Sequence, residues 1–309
     1  EANMTNCTVV VSTYKRPFQL DRCLKSVAPL HAKIIVVSSA KDMETLLISQ
    51  KYNATHIDRE NSLMLNSNKN YGFTKVTTDW ILNLDDDEEL TKDLVLAIGK
   101  VLHENNPAIS GYWIPRKNII FGTWIRHGVW WPDPQLRLFR KGKGKFPEKH
   151  VHEYLHVDGQ TETLDEPFIH HNYHSIEQFL YKMEHIYTVS EVEKFIASGY
   201  NVVWYDALRF PLRDFVKIYF AQRGYKDGLH GLVLSMLQGF YMFIVFVKLW
   251  EREGFREKEI KLFDVTDELS RQGKDVSYWM LTSKMRDASN PIRSLWYQIK
   301  RRFIRICPL

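Results

Sequence analysis

Three cysteines in 309 residues, Cys7, Cys23 and Cys307, are odd in number and widely spaced. They form neither a disulfide framework nor a zinc-ligand pattern, and they suit a reducing cytosol. Glycine (15) and proline (11) are sparse, and no internal repeat or low-complexity tract occurs. No secretory leader pattern is expected at the start of the sequence. Hydrophobic residues make up 44% and charged residues 26%, which describes a globular chain rather than a disordered one. The net charge of +5 is concentrated in a tail: Lys284, Arg286, Arg293, Lys300, Arg301, Arg302 and Arg305 face a single acid, Asp287. No basic face remains elsewhere, so nucleic acid is not an expected partner.

Aromatic residues are abundant at 13%, with nine Trp, fifteen Tyr and seventeen Phe. That suits carbohydrate-facing surfaces or an interfacial membrane belt. In the tail, Trp296, Tyr297, Ile299, Phe303 and Ile304 interleave with the basic residues. The pattern reads as contact with an anionic membrane surface, against the plainer reading of a solvated terminal helix. Residues 228–247 contain no Asp, Glu, Lys or Arg, and a spanning helix needs about 20 apolar residues. Gly228, Gly231, Ser235 and Gln238 nevertheless share one helical face. The stretch therefore reads as a helix buried against the N-terminal domain or lying shallowly in a membrane.

Strand and helix alternate through residue 105. "CTVVVST", "AKIIVVSS", "ATHID" and "DWILNL" read as strands. Helices follow Pro17 and Asp42, "NSNKNYGFTKVTT" reads as loop into helix, and Thr91 caps a helix over "LTKDLVLAIGKVLHEN". This predicts a doubly wound α/β sheet, parallel in its core. Further strands, "SGYWIPRKNIIFG" and "PQLRLFRKGKGKF", extend it into a mixed sheet. From Ser175 the pattern is helical, and "FPLRDFVKIYFAQRG" suits an in-plane membrane helix.

Ligands of such sheets bind at the carboxyl ends of strands. "WILNLDDDEEL" places Asp85, Asp86 and Asp87 at one such end, beside "STYKRP" and "SSAKD". A carboxylate pair separated by one residue offers hard oxygen ligands to Mg2+ or Mn2+, which take one or two carboxylates and complete their shell with substrate phosphates.

The ordered set "VVVSTYKRP", "IIVVSS", "NKNYG", "DWILNLDDDEEL", "GYWIPRKNIIFGTWIRHGVWWPDPQLRLFRKG", "HVHE" and "IHHNYHS" resembles the GT-A fold glycosyltransferases of family 2. The likeness is closest to the bacterial branch of lipopolysaccharide-core and lipid-linked-oligosaccharide β-glucosyltransferases, and it covers about residues 7–252. The resemblance implies a Rossmann-like mixed sheet flanked by helices over residues 4–172. A helical, membrane- or acceptor-associated region would follow over 173–260, and a basic amphipathic tail over 261–309.

It also implies roles. Asp87 ligates a divalent metal, Mn2+ or Mg2+, on the nucleotide diphosphate, with His170 as a further ligand. Asp85 reaches the ribose or a metal-bound water. Asp86 is grouped with the nucleotide-binding turn, its side chain expected to face backbone donors or solvent. Thr13, Tyr14 and Arg16 pack on the nucleoside, and Lys69 and Asn70 lie near base and ribose. Glu153 is the catalytic base for the acceptor hydroxyl. Ser38 stands where the family usually has a base-recognising Asp, with Asp42 a turn away as a substitute. Glu88 either touches the donor sugar or braces the loop, and Glu89 opens the next helix. Arg137 and Arg140 either add positive charge at the leaving group or are solvated strand-edge residues.

Of the histidines, His150, His152, His156, His170, His171 and His174 show no standard zinc spacing, and His152 would orient Glu153. Trp113, Trp124, Trp130 and Trp131 either stack on sugars or pack in the core or membrane interface. The activity implied is metal-dependent, inverting transfer of a hexose, glucose from UDP-glucose, onto a lipid-linked or glycolipid saccharide. It would act at the cytoplasmic face of the plasma membrane, as a peripheral or monotopic protein. The alternatives are a polyprenyl-phosphate glycosyltransferase and a non-catalytic sugar-nucleotide-binding membrane protein.

Overall fold

The computed structural model describes residues 6–60, 65–147 and 154–306. The chain forms two compact units, residues 1–124 with 131–174, and residues 125–130 with 175–309.

The first unit is the expected mixed α/β structure. Its first strand, β1 (Cys7–Thr13), is buried at every position but Ser12, as a β-branched run covered on both faces should be. Then come α1 (Pro17–Val27), β2 (Lys33–Ser38), α2 (Met43–Lys51), β3 (Thr55–Asp58), α3 (Leu65–Thr74), β4 (Trp80–Asp85), β5 (Glu88–Leu90) and α4 (Lys92–Glu104). The later strands are β6 (Ile109–Ile114), β7 (Arg116–Ile120), β8 (Thr123–Trp124), β9 (Gln135–Arg140), β10 (Gly144–Lys145), β11 (His156–Val157), β12 (Gln160–Thr163) and β13 (Phe168–Tyr173).

A seven-stranded sheet runs β12-β6-β9-β4-β1-β2-β3. Its β4-β1-β2-β3 half is parallel, and β9 is antiparallel to both β4 and β6. A four-stranded sheet, β5-β13-β7-β8, lies apart from it in the hydrogen-bonding pattern.

Alternation along β1 sorts the core. Val9 and Val11 pack with Leu20, Leu24, Leu94 and Ile98 of α1 and α4. Val10 packs on the other face with Val37, Ile81, Phe139 and Phe73. Each fully buried aliphatic side chain contributes roughly 1.5–3 kcal/mol. Cys7 and Cys23 are free and buried; burial pushes the Cys7 thiol up to about 12, so it packs as a small apolar group.

Helix starts follow local chemistry. Asp42 Oδ1 accepts from the Thr45 amide at 2.8 Å, and Thr91 Oγ1 accepts from the Leu94 amide at 3.1 Å. Helix α3 already includes Asn66, Asn68, Lys69 and Asn70, so the segment read as loop into helix is helical through most of its polar part. It lies tight on the sheet at Gly72, where a Cβ would come within 2.7 Å of Val10 and 2.9 Å of Val37.

The second unit is helical. It comprises α5 (Ile176–Lys182), α6 (Thr188–Ala197), α7 (Asp206–Val216), α8 (Gly228–Arg252), α9 (Leu262–Arg286) and α10 (Pro291–Ile306). Its core joins Val192, Val202, Phe210, Met242, Val245 and Leu249. The small-residue face of α8 is real but shifted. Gly231, Ser235 and Gly239 are buried, Gly228 is exposed and Gln238 half-buried. A Cβ at Gly239 would meet the Pro211 carbonyl of α7 at 2.9 Å, and one at Gly231 the Gly224 carbonyl at 1.8 Å. The opposite face exposes Leu229, Met236, Phe240 and Phe243. By length and composition the stretch Gly224–Arg252 is apolar enough to cross a membrane, and its apolar 18-residue window is less than half buried.

Candidate active site

The acids sit where four elements of the first unit meet. Asp85 ends β4 in register with Ser12 of β1, so the carboxyl ends of β1 and β4 lie side by side. A short turn leads into β5, which pairs antiparallel with β13 and sets His170 opposite Glu88. That register carries His170 to the acidic turn from 85 residues away in the sequence.

Each acid has its own partners. Asp85 Oδ1 meets Lys69 Nζ at 2.5 Å and Oδ2 meets Arg137 Nη2 at 3.0 Å. Asp86 is 4% exposed; its Oδ2 accepts from Thr13 Oγ1 at 2.7 Å and its Oδ1 from Arg16 Nη1 at 3.1 Å. It therefore turns inward, and the expectation that it faces backbone donors or solvent is corrected: a buried carboxylate takes the nearest side-chain donors. Asp87 Oδ2 accepts from Arg16 Nη1 at 3.2 Å, and its Oδ1 lies 3.6 Å from His170 Nε2.

Glu88, with no exposed surface, accepts from the Asp85 amide at 3.0 Å and pairs with Arg137. Of its two expected roles it takes that of a brace closing the turn. Glu89 lies in β5 and not in a helix, because residues 88–90 pair with β13 and α4 begins only after the Thr91 cap. Its carboxylate meets His171 Nε2 and Arg22 Nε, each at 2.6 Å.

Arg137 thus joins the acids and is buried, whereas Arg140 lies elsewhere. Arg140 donates to the Ile109 carbonyl at 2.8 Å and stacks over Trp80. Neither is a solvated edge residue.

Burial dominates the acid–base behaviour of the turn. It pushes Asp86 up to about 6, against Arg16 and with the repulsion of Asp87. It pushes Glu88 up to about 7, against Arg137 and with the repulsion of Asp85. Asp85 is only half-buried; its desolvation is outweighed by Lys69 and then Arg137, which hold it well below the usual carboxylate range. Asp85 therefore stays ionised, while its two neighbours bear the cost of crowding.

The remaining expected residues have other partners. Tyr14 is exposed just beyond β1. Asn70 clamps the Phe146 backbone, donating to its carbonyl at 2.9 Å and accepting from its amide at 3.0 Å. Ser38 is buried and donates to the Ala40 carbonyl at 2.6 Å, and Asp42 is engaged in capping α2. Trp113 donates to Thr161 at 3.2 Å, Trp124 and Trp131 meet edge to face, and Trp130 is buried. Glu153, His150 and His152 lie outside the described residues.

One participant went unread in the sequence. Asn118, a buried polar residue in β7, donates to Asp133 Oδ2 at 3.0 Å, which leaves its Oδ1 to accept from His170 Nδ1 at 2.7 Å. Arg116 holds Asp133 in turn, Nε to Oδ2 at 2.8 Å. A neutral His170 that gives its Nδ1 proton to Asn118 presents the Nε2 lone pair toward Asp87, the arrangement a metal-ligating imidazole requires. Nothing in the strand sequence, Arg-Lys-Asn-Ile-Ile, sets Asn118 apart from its polar neighbours; only its burial in the fold does.

A divalent cation is consistent with this donor set. Asp85, Asp86, Asp87 and Glu88 face Arg16, Lys69 and Arg137, a small excess of negative charge that a diphosphate would enlarge. Among the described residues no group of three or more His, Cys, Asp and Glu is arranged to hold a metal. Asp87 and His170 are the two side chains that could ligate such an ion, and ions of this class draw the rest of their shell from phosphate and water.

Residues 8–154 match the family described as Glycosyl transferase family 2. The lipopolysaccharide core biosynthesis glycosyltransferase LpsC of Rhizobium meliloti (strain 1021) is 22% identical over 243 residues, spanning 77% of this chain and 90% of its own length. An uncharacterized glycosyltransferase of Rickettsia felis (strain ATCC VR-1525 / URRWXCal2) is 25% identical over 259 residues, 80% of this chain and 90% of its own. The mannosyltransferase PcManGT from Pyrobaculum calidifontis, solved in complex with GDP-Man and Mn2+, aligns over 98% of this chain and 86% of its own at 11% identity and a TM-score of 0.45.

Proposed function

We propose, from the match of residues 8–154 to Glycosyl transferase family 2, that the chain is a metal-dependent, inverting glycosyltransferase. It moves a hexose, glucose from UDP-glucose, onto a lipid-linked saccharide at the cytoplasmic face of a membrane. The observation that carries this reading is the acidic turn at the end of β4, set among Thr13, Arg16, Lys69 and His170.

The donor's diphosphate would lie over this turn. Asp87 and His170 would hold the divalent cation, which supplies a Lewis acid against the charge developing on the leaving diphosphate. Arg16 and Lys69, paired with the acids in the free protein, are the cations within reach of phosphate oxygens, where they add to that stabilisation. Asp85, kept ionised by Lys69 and Arg137, is a permanent acceptor for the ribose hydroxyls. Thr13 and Tyr14 provide the wall for the nucleoside. Glu153 takes the proton of the acceptor hydroxyl as it attacks the anomeric carbon in a single displacement, which inverts that centre.

Membrane attachment is the role of α10. Its exposed Ile292, Leu295, Trp296, Ile299 and Phe303 recur at helical spacing beside Arg293, Lys300 and Arg302.

The test is transfer from UDP-glucose, with Mn2+, to lipid extracts by the wild type and by Glu153→Gln. Loss of transfer with unchanged donor binding is expected. Full transfer by Glu153→Gln would remove Glu153 as base and favour a phosphate acceptor, which needs none. Tight donor binding without turnover on any extract would instead support a non-catalytic protein.

A further inference from the structure

Within the helical unit, α7 and α9 flank a groove of about 750 Å3, inside the range of small-molecule sites. Its floor is rigid. Arg209 is gripped by both oxygens of Glu268, Nε to Oε1 at 2.6 Å and Nη2 to Oε2 at 2.8 Å. Glu268 is 2% exposed, takes a third bond from Gln272 at 2.8 Å, and the guanidinium lies 3.9 Å from the centre of the Tyr205 ring. Tyr200, Tyr205 and Trp279 line the groove. The acid Asp206, also on the lining, is occupied by the Tyr200 hydroxyl at 2.9 Å and the Val203 amide at 3.0 Å.

The mouth differs from the floor. Arg213 and Lys217 follow Arg209 at successive four-residue steps of the helix and are exposed. Neither forms an ion pair among the described residues. Asp214 lies beside both, and its carboxyl is pushed up by burial against their attraction. Across the groove stand the exposed Arg271, 3.7 Å from Glu268 Oε2, and Asp275. Three exposed cations with one exposed acid, over an aromatic lining and a fixed floor, suit a ligand with a ring to stack and a negative charge to bind. The buried Glu268 is satisfied internally and does not repel it.

We propose that this groove is a ligand site for a phosphorylated sugar, free in solution or carried as a lipid headgroup. The groove shares no lining residue with the acidic turn, and its occupancy does not depend on the transfer reading.

The experiment is calorimetric titration of the full chain with glucose 6-phosphate, glucose and inorganic phosphate. Saturable binding of glucose 6-phosphate, at least about tenfold tighter than either fragment, is expected. It should weaken by about tenfold or more in Arg213→Ser/Lys217→Ser and persist in Asp85→Asn. Competition by phosphatidylinositol vesicles, and not by phosphatidylcholine vesicles, identifies a lipid headgroup as an occupant; absence of competition identifies the soluble sugar. The proposal is overturned if glucose 6-phosphate gives no saturable heat, binds no better than phosphate alone, binds the double variant as tightly as the wild type, or is lost in Asp85→Asn alone. Both mouth residues are exposed, so the double variant should fold. The comparison of the three probes on the wild type needs no variant.

Discussion

Arg137 serves two acids at once, holding the Asp85 carboxylate from one side while neutralising the buried Glu88. Removing the guanidinium strands Glu88 in the interior. Arg137→Met should therefore destabilise the protein by roughly 3–5 kcal/mol, and Glu88→Gln/Arg137→Met should recover part of that loss, since the penalty belongs to the unpaired charge. Chemical denaturation of the single and double variants checks both statements. A second expectation concerns His170. Asn118→Ala leaves the His170 Nδ1 proton without its acceptor, and Mn2+ affinity in the presence of UDP should fall roughly 10–100-fold, measured by calorimetry. At this scale the sequence was partly legible. A triplet of acids after an apolar strand marks a candidate ligand-facing turn, whereas Arg16 and Lys69 were assigned to the nucleoside and not to the acids they pair with. Which acid each cation serves was not readable, because Arg16, Lys69 and Arg137 reach the turn from three different elements far apart in the chain. Glu89 was misread because it pairs with β13, and Asp86 because its donors, Thr13 and Arg16, stand 73 and 70 residues away.

Strands and helices were more legible than their contacts. The caps at Asp42, Thr91 and Ser175 and the β-branched strands follow local rules, and the elements begin close to where those rules place them. The small-residue face of α8 was displaced by about one turn, since Gly239, not Gly228, meets α7. At Gly72 the consequence of contact is specific. Gly72→Val forces α3 off Val10 and Val37 and should cost about 1–3 kcal/mol. Because the same helix carries Lys69, donor affinity should fall with it, read by thermal shift with UDP-glucose. The α7–α9 pair gives a pH expectation. The hydrogen bond from Arg209 lowers the Glu268 carboxyl against burial. A depressed acid contributes stability that is present above its unfolded pKa and lost as pH falls through its folded one. Acid titration followed by near-ultraviolet dichroism should therefore loosen the helical unit below the ordinary carboxylate range. Glu268→Gln should lose stability at neutral pH and show a flatter acid limb.

For the whole molecule, the α/β unit was legible because alternation of strand and helix is a long-range pattern written in local periodicity. The helical unit was less so. Its apolar faces read equally as core and as membrane contact, and only packing tells Leu234 and Val245, both buried, from Leu229 and Phe240, which are exposed. Helix α10 supplies the corresponding expectation. The chain without residues 290–309 should lose sedimentation with phosphatidylglycerol vesicles while keeping its donor-induced thermal shift. Wild-type sedimentation should weaken as salt screens the basic residues.

The closed set of ion pairs around the acidic turn has a further consequence for binding. Lys69 is already neutralised by Asp85, and Arg16 by Asp86 and Asp87. A diphosphate arriving with its metal ion does not meet bare cations wrapped in small counterions. It exchanges partners, one ion pair for another, and few ions return to the solvent. Donor affinity should therefore change little as ionic strength rises, in contrast to the steep salt dependence expected of α10 on an anionic surface.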